Sequence, residues 1–412
     1  MSEIKNVPRL RFPGFTEPWE QRKVLDLLIE PVTDGPHETP ELVKKGVPFI
    51  SVDAIVDNKI DFNRKRGDIS EEYDAECCKK YKPQLHDVYL VKSGSTVGKV
   101  AIVETTERFN IWSPLAAMRC GEKTDPYFLY VLLQTDGMQA QISDKASNGT
   151  QPNLSMRELE KFDVQVPQNT DEQKAIGDYF INLDHLITLH QRKLDHVRNL
   201  KKSMLQKMFP KNGKLYPEIR FPGFTDTWEQ RKVSEIGNIV TGSTPKTSIS
   251  DNYGGEFLFV SPADIQENRY VDETITTLTK KGFDQGRKIR EKASLFVSIG
   301  STIGKVAQTS QESTTNQQIN AVEPYDNFDD DFIFTSLENI SGSIKAIASN
   351  QAVPIVNKTT FGQTEIQVPS ELAEQQKIGA YFRKLDHLIT LHQRELDHLK
   401  LLKKGMLQQM FV

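Results

Sequence analysis

The 412-residue chain repeats itself, and the repeat constrains the fold more than any other feature. Pro8–Val24, PRLRFPGFTEPWEQRKV, matches Pro217–Val233, PEIRFPGFTDTWEQRKV, at 13 of 17 positions. Glu172–Phe209 matches Glu374–Phe411 at 27 of 38 positions, with LDHLITLHQR unbroken in both. The stretches between these matched ends have drifted almost beyond alignment. One frame with two unlike middles suggests one scaffold presenting two different recognition surfaces. The repeat is also cyclic: Phe209 runs through Pro210-Lys211-Asn212-Gly213 into the second RFPGF, and Met410-Phe411-Val412 would run equally well into the first. Such a chain reads as a fused dimer with pseudo-two-fold symmetry.

A chain of this length exceeds one ordinary core and suits two domains with connectors. With 37% hydrophobic and 26% charged residues it reads as a globular protein. No apolar run approaches the ~18 residues that cross a bilayer, and Met1–Leu10 lacks the apolar stretch of a signal peptide. A cytoplasmic location is therefore expected, with no membrane partner. The three cysteines, Cys77, Cys78 and Cys120, all lie in the first copy without metal-ligand spacing, which fits a reducing compartment. Net charge is −4. A DNA binder working alone is usually basic, so the balance argues against a strong free-standing one and leaves room for a module that borrows positive surface from partners.

The middles read as α+β. Strands are expected at Pro48–Val52, Asp87–Lys92, Lys99–Val103 and Phe162–Val166, with Phe257–Val260, Ser294–Val297 and Glu365–Val368 in the second copy. A helix should begin at Asp125-Pro126, capped by Asp, with a counterpart around Asp331. The long segments are clearer. Ile176, Phe180, Leu183, Ile187, His190, Leu194, Val197, Lys201, Met204 and Met208 recur at alternating spacings of four and three. Ile378, Phe382, Leu385, Ile389, His392, Leu396, Leu399, Lys403, Met406 and Met410 repeat the series. Sustained heptads predict a coiled-coil seam. Thr170 and Gln173 can form a capping box at the first start, and Pro210 stops the first helix. About 39 residues make a rod of ~58 Å. Two rods with identical seams most simply pair with each other, antiparallel if the pseudo-dyad holds, which would place the middles at opposite ends. That arrangement suits a bipartite DNA site, since one DNA turn is about 34–36 Å.

Several motifs invite stronger readings and fail them. SGSTVGKVA (Ser93–Ala101) and IGSTIGKVA (Ile299–Ala307) have three residues between the glycines and no hydroxyl after the lysine, so a tight strand–turn–strand is expected rather than a phosphate loop. Asp125-Pro126-Tyr127-Phe128 nearly spells an adenine-methyltransferase loop, but no cofactor glycine loop precedes it and the second copy has no equivalent. Helicase and nuclease signatures are not found. Six of the eight histidines lie in the long segments at spacings of five and six, which do not stack as metal ligands on one helix face. His190 and His392 are expected to fix the helix register, and no metal site is expected.

Candidate DNA-contacting residues fall in the unlike middles. The first copy offers Arg64, Lys65, Arg66, Lys79 and Lys80, then the polar run containing Asn148, Thr150, Gln151 and Asn153. The second offers Lys280, Lys281, Arg287, Lys288, Arg290, Gln317, Gln318, Asn350 and Gln351. Lys99 and Lys305 of the glycine hairpins could touch phosphate. Arg, Asn and Gln provide bidentate base contacts, while Lys mostly positions the backbone.

Taken together, these features resemble the specificity subunits of type I restriction–modification enzymes. RFPGF…WEQRKV, GST(V/I)GKVA, VQVPQNTDEQKAIGDYFINLDHLI with IQVPSELAEQQKIGAYFRKLDHLI, and LKKSMLQKMF with LKKGMLQQMF carry the resemblance across essentially the whole chain. It implies an α+β chain of two target-recognition domains, 1–170 and 210–370, with long helices at 171–209 and 371–412. Each domain would read one half of a split double-stranded DNA site. The paired helices would set the gap and dock two methyltransferase subunits, which methylate adenine. Restriction subunits added to the complex would hydrolyse ATP, translocate DNA and cut it. S-adenosylmethionine, ATP and Mg2+ are expected on those partners, with no catalytic centre or cofactor on this chain. The alternatives are a free-standing DNA-binding or architectural protein, which tight specific binding by the lone chain would favour, and a methyltransferase in its own right, which methylation without added subunits would revive.

Overall fold

Both copies of the WEQRK motif become a strand paired with the strand that leads into the long helix. Glu20–Lys23 runs antiparallel to Asp163–Val166, with Glu20 opposite Val166. Glu229–Lys232 pairs identically with Glu365–Val368, with Glu229 opposite Val368. Period-two alternation buries Val164 and Val166, or Ile366 and Val368, beneath this ribbon. The computed structural model describes residues 6–146, 152–211, 213–348 and 355–412. The chain divides into two units, Met1–Leu189 with Leu396–Val412, and His190–Glu395.

In the first unit a four-stranded sheet runs in the order Thr33–Asp34, Leu115–Met118, Val88–Val91, Val100–Ile102. A three-stranded sheet beside it is formed by Gly67–Ile69, Val47–Ile50 and Asn110–Ile111. The second unit repeats the plan with one more strand in each sheet. Its five-stranded order is Gly237–Thr241, Ile319–Pro324, Ser294–Val297, Val306–Thr309, Tyr270–Val271. Its four-stranded order is Thr277–Leu278, Tyr253–Val260, Ser313–Thr315, Lys288–Ile289. The expected strands therefore form, with two shifts. The first ends at Ile50, because Val52–Ala54 turns into a short 3-10 helix, and the strand at Phe257 begins earlier, at Tyr253.

The expected helix start at Asp125 is also present: its Oδ1 accepts from Phe128 N–H at 2.9 Å, ahead of the helix Pro126–Leu132. The counterpart helix is Asp330–Ala348, where Asp329 accepts from Phe332 N–H at 2.8 Å.

The long helices run over Thr170–Lys207 and Leu372–Met410. The Thr170–Gln173 capping box does not form. Asn169 caps instead, its Oδ1 accepting from Asp171 N–H at 2.8 Å. Gln173 is buried, and its amide serves the neighbouring lobe: Oε1 accepts from Asp125 N–H at 3.0 Å, and Nε2 donates to the carbonyls of Pro167 and Lys123. Gln375 repeats this on Asp329 N–H and the Pro369 carbonyl. A buried amide with backbone partners inside reach has no reason to turn back to the helix start.

Within each unit the helical segments pair antiparallel. In the first, Phe180 meets Phe411 while Asp184 meets Lys403. In the second, His190 meets His392, Lys201 meets Asp386, and Phe209 meets Phe382. The seam residues do more than face the other helix. Ile176, Phe180 and Leu183 share one core with Trp19, Phe128, Leu159 and Met410, and Leu399 and Met406 pack against it. Val197, Met208, Ile378, Phe382 and Leu385 share the other with Trp228, Phe332 and Phe361, joined by Met204 and Ile389. Leu194 and Leu396 are buried, and Ile187 is half-buried. Each seam is thus also the floor of a lobe.

The cyclic reading of the repeat has a direct structural counterpart. Phe411 stacks on Phe128 at 5.6 Å and meets Trp19 edge-on at 5.9 Å. Phe209 stacks on Phe332 at 5.8 Å and meets Trp228 edge-on at 5.7 Å. The end of one long helix completes the lobe that follows it in the cyclic order. Leu10 N–H, donating to the Gln409 carbonyl at 2.9 Å, ties the opening segment of the first unit to its helix end.

Candidate nucleic-acid interface

The two glycine hairpins have the same backbone. Gly94 and Gly98 hold φ of +99° and +97°, Gly300 and Gly304 +97° and +91°, a region that favours glycine. Val97 N–H donates to Gly94 and Gly98 N–H to Val91, as Ile303 does to Gly300 and Gly304 to Val297. This is the expected strand–turn–strand. The lysines that follow reach neighbouring carbonyls: exposed Lys99, through Nζ, the Ile55 carbonyl at 3.5 Å, and half-buried Lys305, through Nζ, the Ile265 carbonyl at 2.8 Å. Each lysine ties its hairpin to a neighbouring loop. A bridge joins Ser93 of the first hairpin to Asn153, and another joins Ile299 of the second to Ile355. Asn148, Thr150, Gln151, Asn350 and Gln351 lie outside the described residues.

The other candidate cations are exposed, and each has a neighbour. In the first unit Arg64 faces Asp61, Lys65 pairs with Asp68, and Arg66 lies 4.1 Å from the centre of the Trp112 ring. Lys79 pairs with Glu76 and Lys80 with buried Asp34. In the second, Lys280 and Lys288 share Asp284, which their hydrogen bonds hold below the usual carboxylate range. Lys281 faces Asp251, Arg287 donates to the Thr241 carbonyl, and Arg290 forks onto Asp330. Gln317 accepts from Thr244, and Gln318 from Asn316. Lys280 and Lys288 gather on one patch around Phe283, and in the first unit Arg66 stacks on Trp112. Apart from Lys80 on buried Asp34, these exposed pairs are worth about 0–1 kcal/mol, so a phosphate oxygen can replace a carboxylate there at little cost.

Sequence reasoning missed the charged groups that hold each lobe on its helix. Arg11 forks onto buried Glu172 at 2.6 and 2.7 Å, and Arg220 onto buried Glu374 at 2.7 and 2.8 Å. Lys403 Nζ sits 2.7 Å from Asp184 and 2.9 Å from Gln134. Lys201 Nζ sits 2.6 Å from both Asp386 and Glu338, and Arg269 bridges Asp386 and Asp331. Burial pushes the Glu338 carboxyl above its usual range despite the lysine. Both seam lysines therefore face the other helix and the lobe at once. The signal was present: Arg11, Glu172, Asp184 and Lys201 all lie in the matched ends.

With this repeated geometry in view, comparison with known proteins is decisive. A family model, the type I restriction modification DNA specificity domain, matches residues 17–199 and again 225–401. The chain belongs to that family. Each match runs from a lobe into its long helix, covering the same frame twice. The specificity subunit assigned to the type I restriction enzyme MjaX of Methanocaldococcus jannaschii is 24% identical over 97% of this chain and 94% of its own length. The HindI specificity subunit of Haemophilus influenzae is 32% identical over 38% of this chain and 36% of its own. The crystal structure of a type I restriction–modification S subunit from M. genitalium shares the fold, with a TM-score of 0.75 at 16% identity, covering 98% of this chain and 99% of that one.

As a specificity subunit the chain is a non-catalytic member of its complex and works with DNA and the other restriction–modification subunits. The Asp125-Pro126-Tyr127-Phe128 motif fits that role, since Asp125 is spent on capping and on Gln173. Among the described residues, no helix is long and apolar enough to cross a membrane.

Proposed function

We propose that each unit reads one half of a bipartite double-stranded DNA site and that the two long helices set the gap between the halves. The observation that carries this reading is that identical frames hold unlike loops. The Arg–Glu fork, the Trp–Phe–Phe cluster and the glycine hairpin recur in both units, whereas the cation patches at Arg64–Arg66 and at Lys280–Arg290 have no counterparts in each other. Same frame with different fingers is what two independent half-site readers need. The helices also dock two methyltransferase subunits, which bring S-adenosylmethionine and methylate adenine in the cytoplasm. Restriction subunits add ATP hydrolysis, Mg2+-dependent cleavage and translocation. With a net charge of −4, this chain relies on positive surface from those partners for tight binding.

The test is an exchange of Val24–Val164 for the middle of a related subunit, followed by genome-wide mapping of methylated adenine. One half of the recognised sequence should change and the other stay; simultaneous change in both halves would defeat the assignment. Seven residues inserted near Leu194 should alter the gap or abolish assembly without changing the bases read in either half.

A further inference from the structure

The second unit brings together three donor atoms that the family function does not use. His190 lies on the first long helix, and His392 and Glu395 lie on the second. His190 Nδ1 is 2.8 Å from Glu395 Oε2 and His392 Nδ1 is 3.5 Å from it. All three atoms fall within 4.8 Å of one another. The side chains of His190 and His392 are only 17% and 16% exposed, so the imidazoles are sheltered, while Glu395 remains open to solvent at 43%.

The orientation of the donors is informative. Both Nδ1 atoms are buried, and neither makes an aligned hydrogen bond despite the short approach of the carboxylate. The carboxylate therefore lies close to both nitrogens without occupying either in an aligned hydrogen bond, which leaves both free to act as ligands. Nitrogen and oxygen ligands about 2.0–2.2 Å from a tetrahedral ion stand roughly 3.3 Å apart; the two histidine–carboxylate separations straddle that value, and the histidine pair, within 4.8 Å, closes on a bound ion by small side-chain rotations. His392 and Glu395 are three residues apart, the spacing that lets neighbouring turns of one helix share an ion, and His190 closes the set from the other helix. Spacing along a single helix could not reveal this, because the third donor arrives through tertiary structure.

The repeat supplies a second, independent observation. His190 and His392 occupy equivalent positions in LHQRKLDH and LHQRELDH, and the one difference within that stretch is Lys193 against Glu395. The carboxylate is present once, where the two histidines need one anionic partner. A lysine at both positions would leave the two imidazoles without a carboxylate.

We propose that His190 Nδ1, His392 Nδ1 and Glu395 Oε2 form a three-donor site for a divalent transition ion of the zinc, nickel or copper class. Two imidazoles with one carboxylate suit these ions, and the solvent-facing side leaves a fourth position for water. A bound ion cross-links the two helices within this unit and acts as a structural staple.

The test uses the full chain, stripped with a chelator and titrated with Co2+ as a visible-absorption probe, then displaced with Zn2+. One equivalent of Co2+ should give d–d absorption that Zn2+ abolishes, and Zn2+ should raise the melting temperature. His392→Ala and Glu395→Lys should each weaken binding by more than the roughly 10–100-fold that loss of an outer-shell partner costs. His196→Ala, at an exposed helix position, should leave binding unchanged. Helicity by circular dichroism confirms that the variants are folded, and Glu395→Lys decides the matter if His392→Ala is not. Failure of the wild-type chain to hold stoichiometric Co2+, or unchanged binding in Glu395→Lys, overturns the site.

Discussion

Arg11 donates through Nε and Nη2 to the two carboxylate oxygens of Glu172, 161 residues away, at 2.6 and 2.7 Å. Glu172 is 1% exposed and also accepts from Trp19 Nε1 at 3.3 Å. Arg220 and Glu374 repeat the fork in the second unit, and in both the guanidinium also donates to a backbone carbonyl, of Glu17 or Asp226. The opening motif is thereby bolted to the first turn of the long helix.

Arg11→Ala leaves that carboxylate buried without its cation, and breaking a buried pair from one side costs about 3–5 kcal/mol. Thermal unfolding should show the loss. Arg11→Lys should fall between, because an ammonium cannot supply the planar fork. A variant melting with the parent chain would contradict the bolt.

Gly177 and Gly379 let the lobe helix approach the long helix. A methyl group at Gly177 would stand 2.8 Å from Asp125 Oδ1 and 3.0 Å from Phe128 N, and one at Gly379 would strike Asp329 Oδ1. In an open helix Gly→Ala gains roughly 1 kcal/mol. Here Gly177→Ala and Gly379→Ala should instead destabilise by about 1–3 kcal/mol through overpacking. The sign of the change in denaturation midpoint decides between these outcomes.

Glu338 offers a pH test. Burial raises its folded-state carboxyl above the ordinary 4.5. Its contribution to stability is therefore fully present below 4.5 and declines as pH rises through the elevated folded value. Lys201→Met removes the attraction that opposes this rise, so the decline should steepen and extend to higher pH. Glu338→Gln should flatten it. Melting temperature against pH, compared among the three chains, measures the effect.

The three cysteines are free, and burial pushes the Cys77 thiol to about 11 and that of Cys120 to about 12. Cys78 is raised as well, again chiefly by burial. At pH 8 the thiolate fraction of Cys77 is on the order of a thousandth, and alkylation needs the thiolate. Iodoacetamide should label the folded chain slowly and the unfolded chain rapidly at all three positions. Equal rates would show that these thiols are not sheltered.

Much of this architecture is legible in the residues alone. Period-two and heptad patterns are local, so the strand at Ser294–Val297 and both long helices could be located without coordinates. The paired glycines of the hairpins and the Asp125 cap were readable for the same reason, since a positive φ or an orphan N–H demands a particular residue at a particular place. The repeat itself foretold that Phe411 and Phe209 would play one role.

Tertiary structure decided the partners. Gln173 was read as a local cap and is drawn instead to backbone groups of the lobe. Lys201 completes the heptad series in the sequence, and it meets Asp386 and Glu338 only because the helices run antiparallel against a lobe. His392 and Glu395 are three residues apart, but His190 joins them from 202 residues away, which no local spacing reveals. Charge pairing and donor convergence depend on side chains brought together across more than a hundred residues, and packing geometry alone selects which of many possible partners arrive.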